Sequence, residues 1–168
     1  MAKRIEGLSK KDIINAFPNL STDPDFEITS PATPLYNCIA WAYGLNDKWM
    51  QPNTGDSIEQ GLDALFFWPD EVENDCDISF LIEVFALKGF VVCDSWEHEE
   101  GFRKIALYVE DDTTNYTHAA RELVGDKKTC GKWTSKLGKA NDIQHMSPYS
   151  IEGDAYGVVH CIMRRPFP

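Results

Sequence analysis

The chain has 168 residues, 43% of them apolar and 12% aromatic, which fits one domain with a real core and excludes global disorder. Its 27 acidic and 16 basic residues leave a net charge of −11, and no basic patch of the kind that announces a nucleic-acid surface is present. No run of about 18 apolar residues occurs, so no membrane span is expected. The start, Met-Ala-Lys-Arg-Ile-Glu, lacks the apolar stretch of a secretory signal, and a cytoplasmic protein is the expectation; delivery into another cell by a route without such a signal stays open. Cys38, Cys76, Cys93, Cys130 and Cys161 are odd in number and widely spaced, which fits free thiols in a reducing compartment. No short Cys or His ligand spacing occurs, so neither metal nor cofactor is expected.

Ser9-Lys10-Lys11-Asp12 resembles a capping box and predicts a first helix ending before Pro18. From Asn19 to Pro34 the chain is rich in Ser, Thr, Asp and Pro and reads as a wrapping loop. Pro31 and Pro34 keep the approach extended, so the next helix starts only at Asn37-Cys38-Ile39-Ala40-Trp41-Ala42-Tyr43-Gly44, with Asn37 as N-cap and Gly44 or Asn46 as terminator. Ser57 to Gln60 is a second capping-box pattern leading toward Phe66. Between Asp77 and Lys88, Ile78, Leu81, Ile82 and Phe85 recur at helical spacing, with Gly89 as the stop. The period then changes. Phe90 to Cys93, Lys104 to Val109, Tyr116 to Ala120, Lys132 to Leu137 and Tyr156 to Met163 read as strands, with Trp96 to Gly101 as a solvent-facing turn. Residues 1–168 therefore form one α+β domain. Residues 1–34 give the first helix and loop, 35–89 a helical part, and 90–168 an antiparallel sheet on which the helices pack.

Cys38 is placed where unpaired N–H groups and the helix dipole favour thiolate, although a buried structural cysteine fits the same position. A thiol nucleophile needs a base. Among the four histidines, His98 sits in an acidic turn and reads as solvated, His145 lies in a loop-like segment, and His160 lies in the last strand beside Cys161. His118 has small neighbours and is preferred. The motifs Asn37-Cys38-Ile39-Ala40-Trp41, Thr117-His118-Ala119-Ala120-Arg121 and Trp133-Thr134-Ser135-Lys136-Leu137-Gly138 resemble a family of small bacterial proteins without an assigned function. Their order also resembles that of the papain-like cysteine peptidase superfamily, and the likeness spans roughly residues 35 to 166.

The resemblance implies a papain-like fold with Cys38 as nucleophile and His118 as base. Ser135 and Asp142 are alternatives for the orienting third member. Asn37, Trp41 and Trp133 are the candidate oxyanion or substrate residues. The glutamine that such enzymes carry ahead of the cysteine has no counterpart in Ser30 to Thr33. Arg121 reads either as a clamp for a substrate carboxylate or, preferentially, as an ion-pair partner of Glu122 or Asp126. A Ser135–Lys136 dyad is disfavoured because adjacent strand residues point to opposite faces. The expected function is a thiol hydrolase or acyltransferase acting on an amide or peptide bond of a peptide or protein substrate. The alternative is a non-enzymatic acidic binding or immunity-type protein whose partner is a basic protein, motivated by the charge of −11 and the missing glutamine.

Overall fold

A computed structural model describes residues 7–50, 66–73 and 75–167. The second capping-box pattern at 57–60 lies outside the described residues. Helix α1 (Lys10–Ala16) begins on the expected capping box of Ser9 and Asp12. Strand β1 (Glu27–Ile28), helix α2 (Cys38–Tyr43), the two-residue strands β2 (Trp49–Met50) and β3 (Phe66–Phe67), and helix α3 (Ile78–Ala86) follow. The sheet is completed by β4 (Val91–Cys93), β5 (Phe102–Val109), β6 (Tyr116–Glu122), β7 (Trp133–Lys136), β8 (Asp142–His145) and β9 (Val158–Pro166).

Seven strands form one sheet in the order β1-β8-β7-β6-β5-β9-β4, every neighbour antiparallel, while β2 and β3 make a separate parallel pair. The α+β class and antiparallel sheet match the expectation. Four strands were not expected: the two-residue β2 and β3, β1 within the wrapping loop, and β8, which carries His145 out of what reads as a loop. No helix of the described residues is long and apolar enough to cross a membrane.

Strand alternation divides the core into two layers. On one face, Ile105, Leu107, Val109, Ala119 and Met163 pack under α2 and α3 through Ile39, Ala40, Leu81 and Phe85. On the other, Ala106, Tyr108, Ala120, Trp133, Ile143 and Ile162 pack against Ile13 and Phe17 of the α1 segment and against Leu20 and Ile151. Cross-strand partners keep to this division: Leu107 faces Ala119 and Ala106 faces Ala120. The register shift between Tyr108 and Val109 moves their β6 partners from His118 to Tyr116, which leaves Thr117 as the extra residue of a bulge. The face that each β6 side chain occupies is therefore fixed, and it decides the fate of the site inferred from sequence.

Candidate functional site

Asn37 caps α2 as expected: its Oδ1 accepts from Ala40 N at 3.0 Å. The same oxygen accepts from Met50 N at 3.0 Å, and Nδ2 donates to Met50 O at 2.9 Å. The amide thus clamps β2 to the helix and is committed to backbone, which removes the oxyanion role considered for it. Gly44 ends the helix at φ 103, the left-handed conformation that favours glycine. Cys38 is 8% exposed, and burial pushes its thiol up to about 11, outweighing the backbone N–H groups of Ala119 and Ile39. The expectation of a favoured thiolate is overturned here, because desolvation of the charged form exceeds what a one-and-a-half-turn helix supplies.

The Cys38–His118 pair is not assembled. Cys38 meets the backbone of Ala119 on the α2 face. His118, one residue earlier, points through the other face: its ring stacks on Tyr156 with centroids 4.1 Å apart and lies edge-on to Tyr108 at 5.1 Å. The sheet stands between thiol and imidazole. Ser135 does join His118, at 3.0 Å from Nε2, and also lies 2.8 Å from His145 Nε2; His145 Nδ1 is 2.8 Å from Ser147 O. This chain of imidazole, hydroxyl and imidazole is fully buried. Burial lowers His118 well below the usual histidine range, with His145 adding to the effect, and lowers His145 to about 4 against the opposing Ser147 carbonyl. Both rings are neutral at pH 7. Trp133 is buried on this same face.

Asp142 and Trp41 lie with Cys38 on the opposite side. Asp142 accepts from Tyr36 Oη at 2.8 Å, and Trp41 Nε1 donates to Thr134 Oγ1 at 3.1 Å. Asp142 therefore cannot orient His118. Ser135 and Lys136 diverge as alternation requires, Lys136 Nζ being held by the carbonyls of Thr33 and Gly138. The expected ion pair of Arg121 with Glu122 or Asp126 is also absent; Arg121 lies over the Trp41 ring at 4.5 Å.

The structure assembles a different cysteine and histidine. His98 is not merely solvated: its Nδ1 is 3.0 Å from Glu122 Oε2 and its Nε2 is 3.6 Å from Cys130 Sγ. Glu122 ends β6, is fully buried, and takes Lys104 N on its second oxygen at 3.2 Å. Burial raises Glu122, while the His98 hydrogen bond and charge pull the other way. His98 keeps a third of its side chain exposed and Cys130 is exposed. Glu100 Oε2, fully exposed, lies 3.8 Å from the Nε2 of the same ring. With Nδ1 protonated, the ring donates to Glu122 and accepts from the thiol, the order of nucleophile, base and orienting carboxylate that thiol catalysis uses.

Cys130 reaches this position through the turn after β6, where Cys130 N donates to Asp126 O at 2.8 Å and Gly131 N to Leu123 O at 2.9 Å. Gly131 has φ 88, and a Cβ there would sit 3.4 Å from His98 Cβ, so glycine permits both the turn and the close approach. A cavity of about 180 Å³ adjoins His98 and Cys130, with Phe102, Val124 and Phe167 also in its lining. Larger hollows of about 500 and 570 Å³ lie around Gly153 to Ala155 and are lined by no cysteine or histidine. Sequence reasoning missed the trio because His98 and Cys130 are 32 positions apart with no motif joining them.

Residues 27–164 match the family described as a domain of unknown function, DUF7689. The chain belongs to that family. The match covers the whole sheet but for the last two residues of β9, and it includes Cys38, His118 and the Cys130–His98–Glu122 trio. Within the DUF7689 region, then, lie two histidine clusters of opposite character, one sealed and one open. No curated protein and no solved structure matches the chain.

Proposed function

We propose that this DUF7689 protein is a thiol hydrolase or acyltransferase in which Cys130 is the nucleophile, His98 the general base and acid, and Glu122 the residue that orients and charges the imidazole. The observation that supports the reading is the contact series Sγ···Nε2 at 3.6 Å and Nδ1···Oε2 at 3.0 Å, opening on a cavity and ending on a buried carboxylate. His98 takes the thiol proton as the sulfur bonds to the carbonyl carbon of an amide or peptide group. The C–N bond then breaks, and His98 gives that proton to the leaving amine. Water or an acceptor amine, deprotonated by His98, attacks the thioester and releases the thiolate. Of the papain-like resemblance, the proposal keeps the chemistry of a cysteine activated by an imidazole and gives up Cys38 and His118 as the positions that perform it.

Exposed Cys76 supplies an internal reference thiol. Peptide-resolved alkylation at pH 7 is expected to label Cys130 more than about tenfold faster than Cys76, because a positioned base takes the thiol proton as the sulfur attacks. The His98→Gln substitution is expected to bring the two rates together, and Cys130→Ser to abolish turnover in a screen of amide and peptide substrates. Equal labelling of Cys130 and Cys76 in the parent protein rejects the proposal and leaves the acidic binding protein as the surviving reading.

A further inference from the structure

Three arginines and a lysine share one end of the α2 face of the sheet. Arg121 stands opposite Ile105, a core residue of that face, and Arg103, two positions before Ile105, alternates onto the same side. Arg165 stands directly opposite Arg103 in the β5–β9 ladder. Lys88, just past α3, reaches the carbonyl of Tyr43 at 2.6 Å, and its own carbonyl receives Arg165 Nη1 at 3.4 Å. Like charges directly across a ladder are destabilising, and this molecule has acids in excess to relieve them.

It does not use them here. No described carboxylate oxygen lies within 4.0 Å of any of the four cations. Arg164, one residue away and pointing to the other face, is paired with Glu99, which also holds Lys104 at 3.5 Å. The four instead sit on aromatic rings: Arg121 over Trp41 at 4.5 Å, Arg103 over Phe167 at 4.0 Å, Arg165 over Phe90 at 5.3 Å and Lys88 over Tyr43 at 4.1 Å. Ring faces attract the cations but accept none of the in-plane N–H bonds, and the Nε atoms of Arg103, Arg121 and Arg165 are all buried without a hydrogen-bond partner. Burial lowers Arg121 to about 10, with Arg103 adding to the shift and Asp142 opposing it. Burial likewise lowers Arg103, with Arg165 adding and Glu122 opposing, and lowers Lys88, with Arg165 and Arg121 adding.

We propose that Arg103, Arg121, Arg165 and Lys88 form a binding site for a small phosphate-bearing ligand carrying at least two negative charges. Guanidinium groups fixed on rings hold their N–H donors at low entropic cost, and paired N–H donors suit phosphate oxygens. The surrounding acidity disfavours an extended nucleic acid and leaves a compact oxyanion as the occupant. Phe167, the ring under Arg103, also lines the Cys130 cavity, so the two sites adjoin, but binding here does not require the Cys130 chemistry.

Pyrophosphate titrated into the full chain at low ionic strength, read by calorimetry and by Tm, tests this. The expected result is saturable binding and a Tm that rises with ligand concentration. Arg165→Gln is expected to weaken pyrophosphate at least about tenfold while raising the ligand-free Tm, since it removes one member of a like-charge pair. Arg165→Lys, which keeps the charge and loses the fork, is expected to weaken binding without the gain in Tm, and Arg164→Gln to leave binding unchanged. A Tm rise reproduced by sodium chloride at matched ionic strength overturns the site, as does equal weakening by Arg164→Gln. Citrate binding more tightly than pyrophosphate overturns the phosphate assignment in favour of a polycarboxylate.

Discussion

The two histidine clusters hold similar hydrogen bonds in opposite surroundings. In the sealed one, Ser135 lies between two imidazoles and everything is buried beneath Tyr108 and Tyr156. In the open one, His98 lies between a buried carboxylate and an exposed thiol, with a cavity alongside. Burial holds the first pair of rings neutral, outweighing at His145 the Ser147 carbonyl and the charge of Asp23, so they serve as fixed hydrogen-bonding spacers in a core. In the second, a buried carboxylate stands behind the ring and solvent in front of it, the surroundings that the proposed proton transfer by His98 requires.

The sharpest way to break this contrast is to remove the carboxylate's charge and keep its shape. Glu122→Gln preserves both contacts in outline, yet removes the charge that would stabilise the imidazolium formed in the proposed transfer. The rate of Cys130 alkylation or turnover at pH 7 is expected to fall between about 10²- and 10⁴-fold, with the fold retained by circular dichroism. An unchanged rate would show that His98 works without Glu122 and would equate the two clusters.

Ser135→Ala attacks the sealed side. Each imidazole Nε2 bonded to that hydroxyl would be left buried and unpaired, at about 1–3 kcal/mol per group. A loss of about 2–6 kcal/mol in urea unfolding is therefore expected, with Cys130 reactivity intact. Loss of reactivity in a still-folded variant would instead join the clusters into one functional unit.

Acid separates them next. His145 falls from the usual histidine value to about 4 in the folded protein, and His118 shifts in the same direction. Between those values the unfolded chain binds the proton and the native ring does not, so stability rises with pH. The contribution is present above about 6.5 and is lost as pH falls through that value toward about 4. For His145 alone it amounts to about 3 kcal/mol. Urea midpoints at pH 7 and pH 4.5 are expected to differ accordingly, and a flat profile would mean that the rings are not sealed.

How much of this was legible in the sequence follows from how local each signal is. The capping box at Ser9, the Asn37 cap and the amphipathic run from Ile78 to Phe85 are encoded within one or two turns, and each forms its helix. The strand β8 was missed because Asp142-Ile143-Gln144-His145 is buried on both faces, so alternation is not written in its polarity. The site was missed for a related reason. His118 lies next to Ala119 in sequence, but a one-residue step in a strand reverses the face, and the bulge at Thr117 sets which residue goes where. His98 and Cys130 meet only because β6 and the turn after it are folded back beside the loop that precedes β5, an encounter that no local pattern announces.

Cys38→Ala is the smallest of these changes and the one that most directly separates a resemblance from a mechanism. The thiol is buried on the α2 face, raised to about 11, and cut off by the sheet from any histidine of the sealed cluster. Its truncation removes one small buried group, so a loss of about 1 kcal/mol is expected in urea unfolding. The Cys130 alkylation rate should not move. If activity on any amide substrate disappears with Cys38 while Cys130→Ser retains it, the face assignment of β6 in the active protein is wrong: a shift of the bulge by one residue is the smallest rearrangement that would bring His118 through to the α2 side.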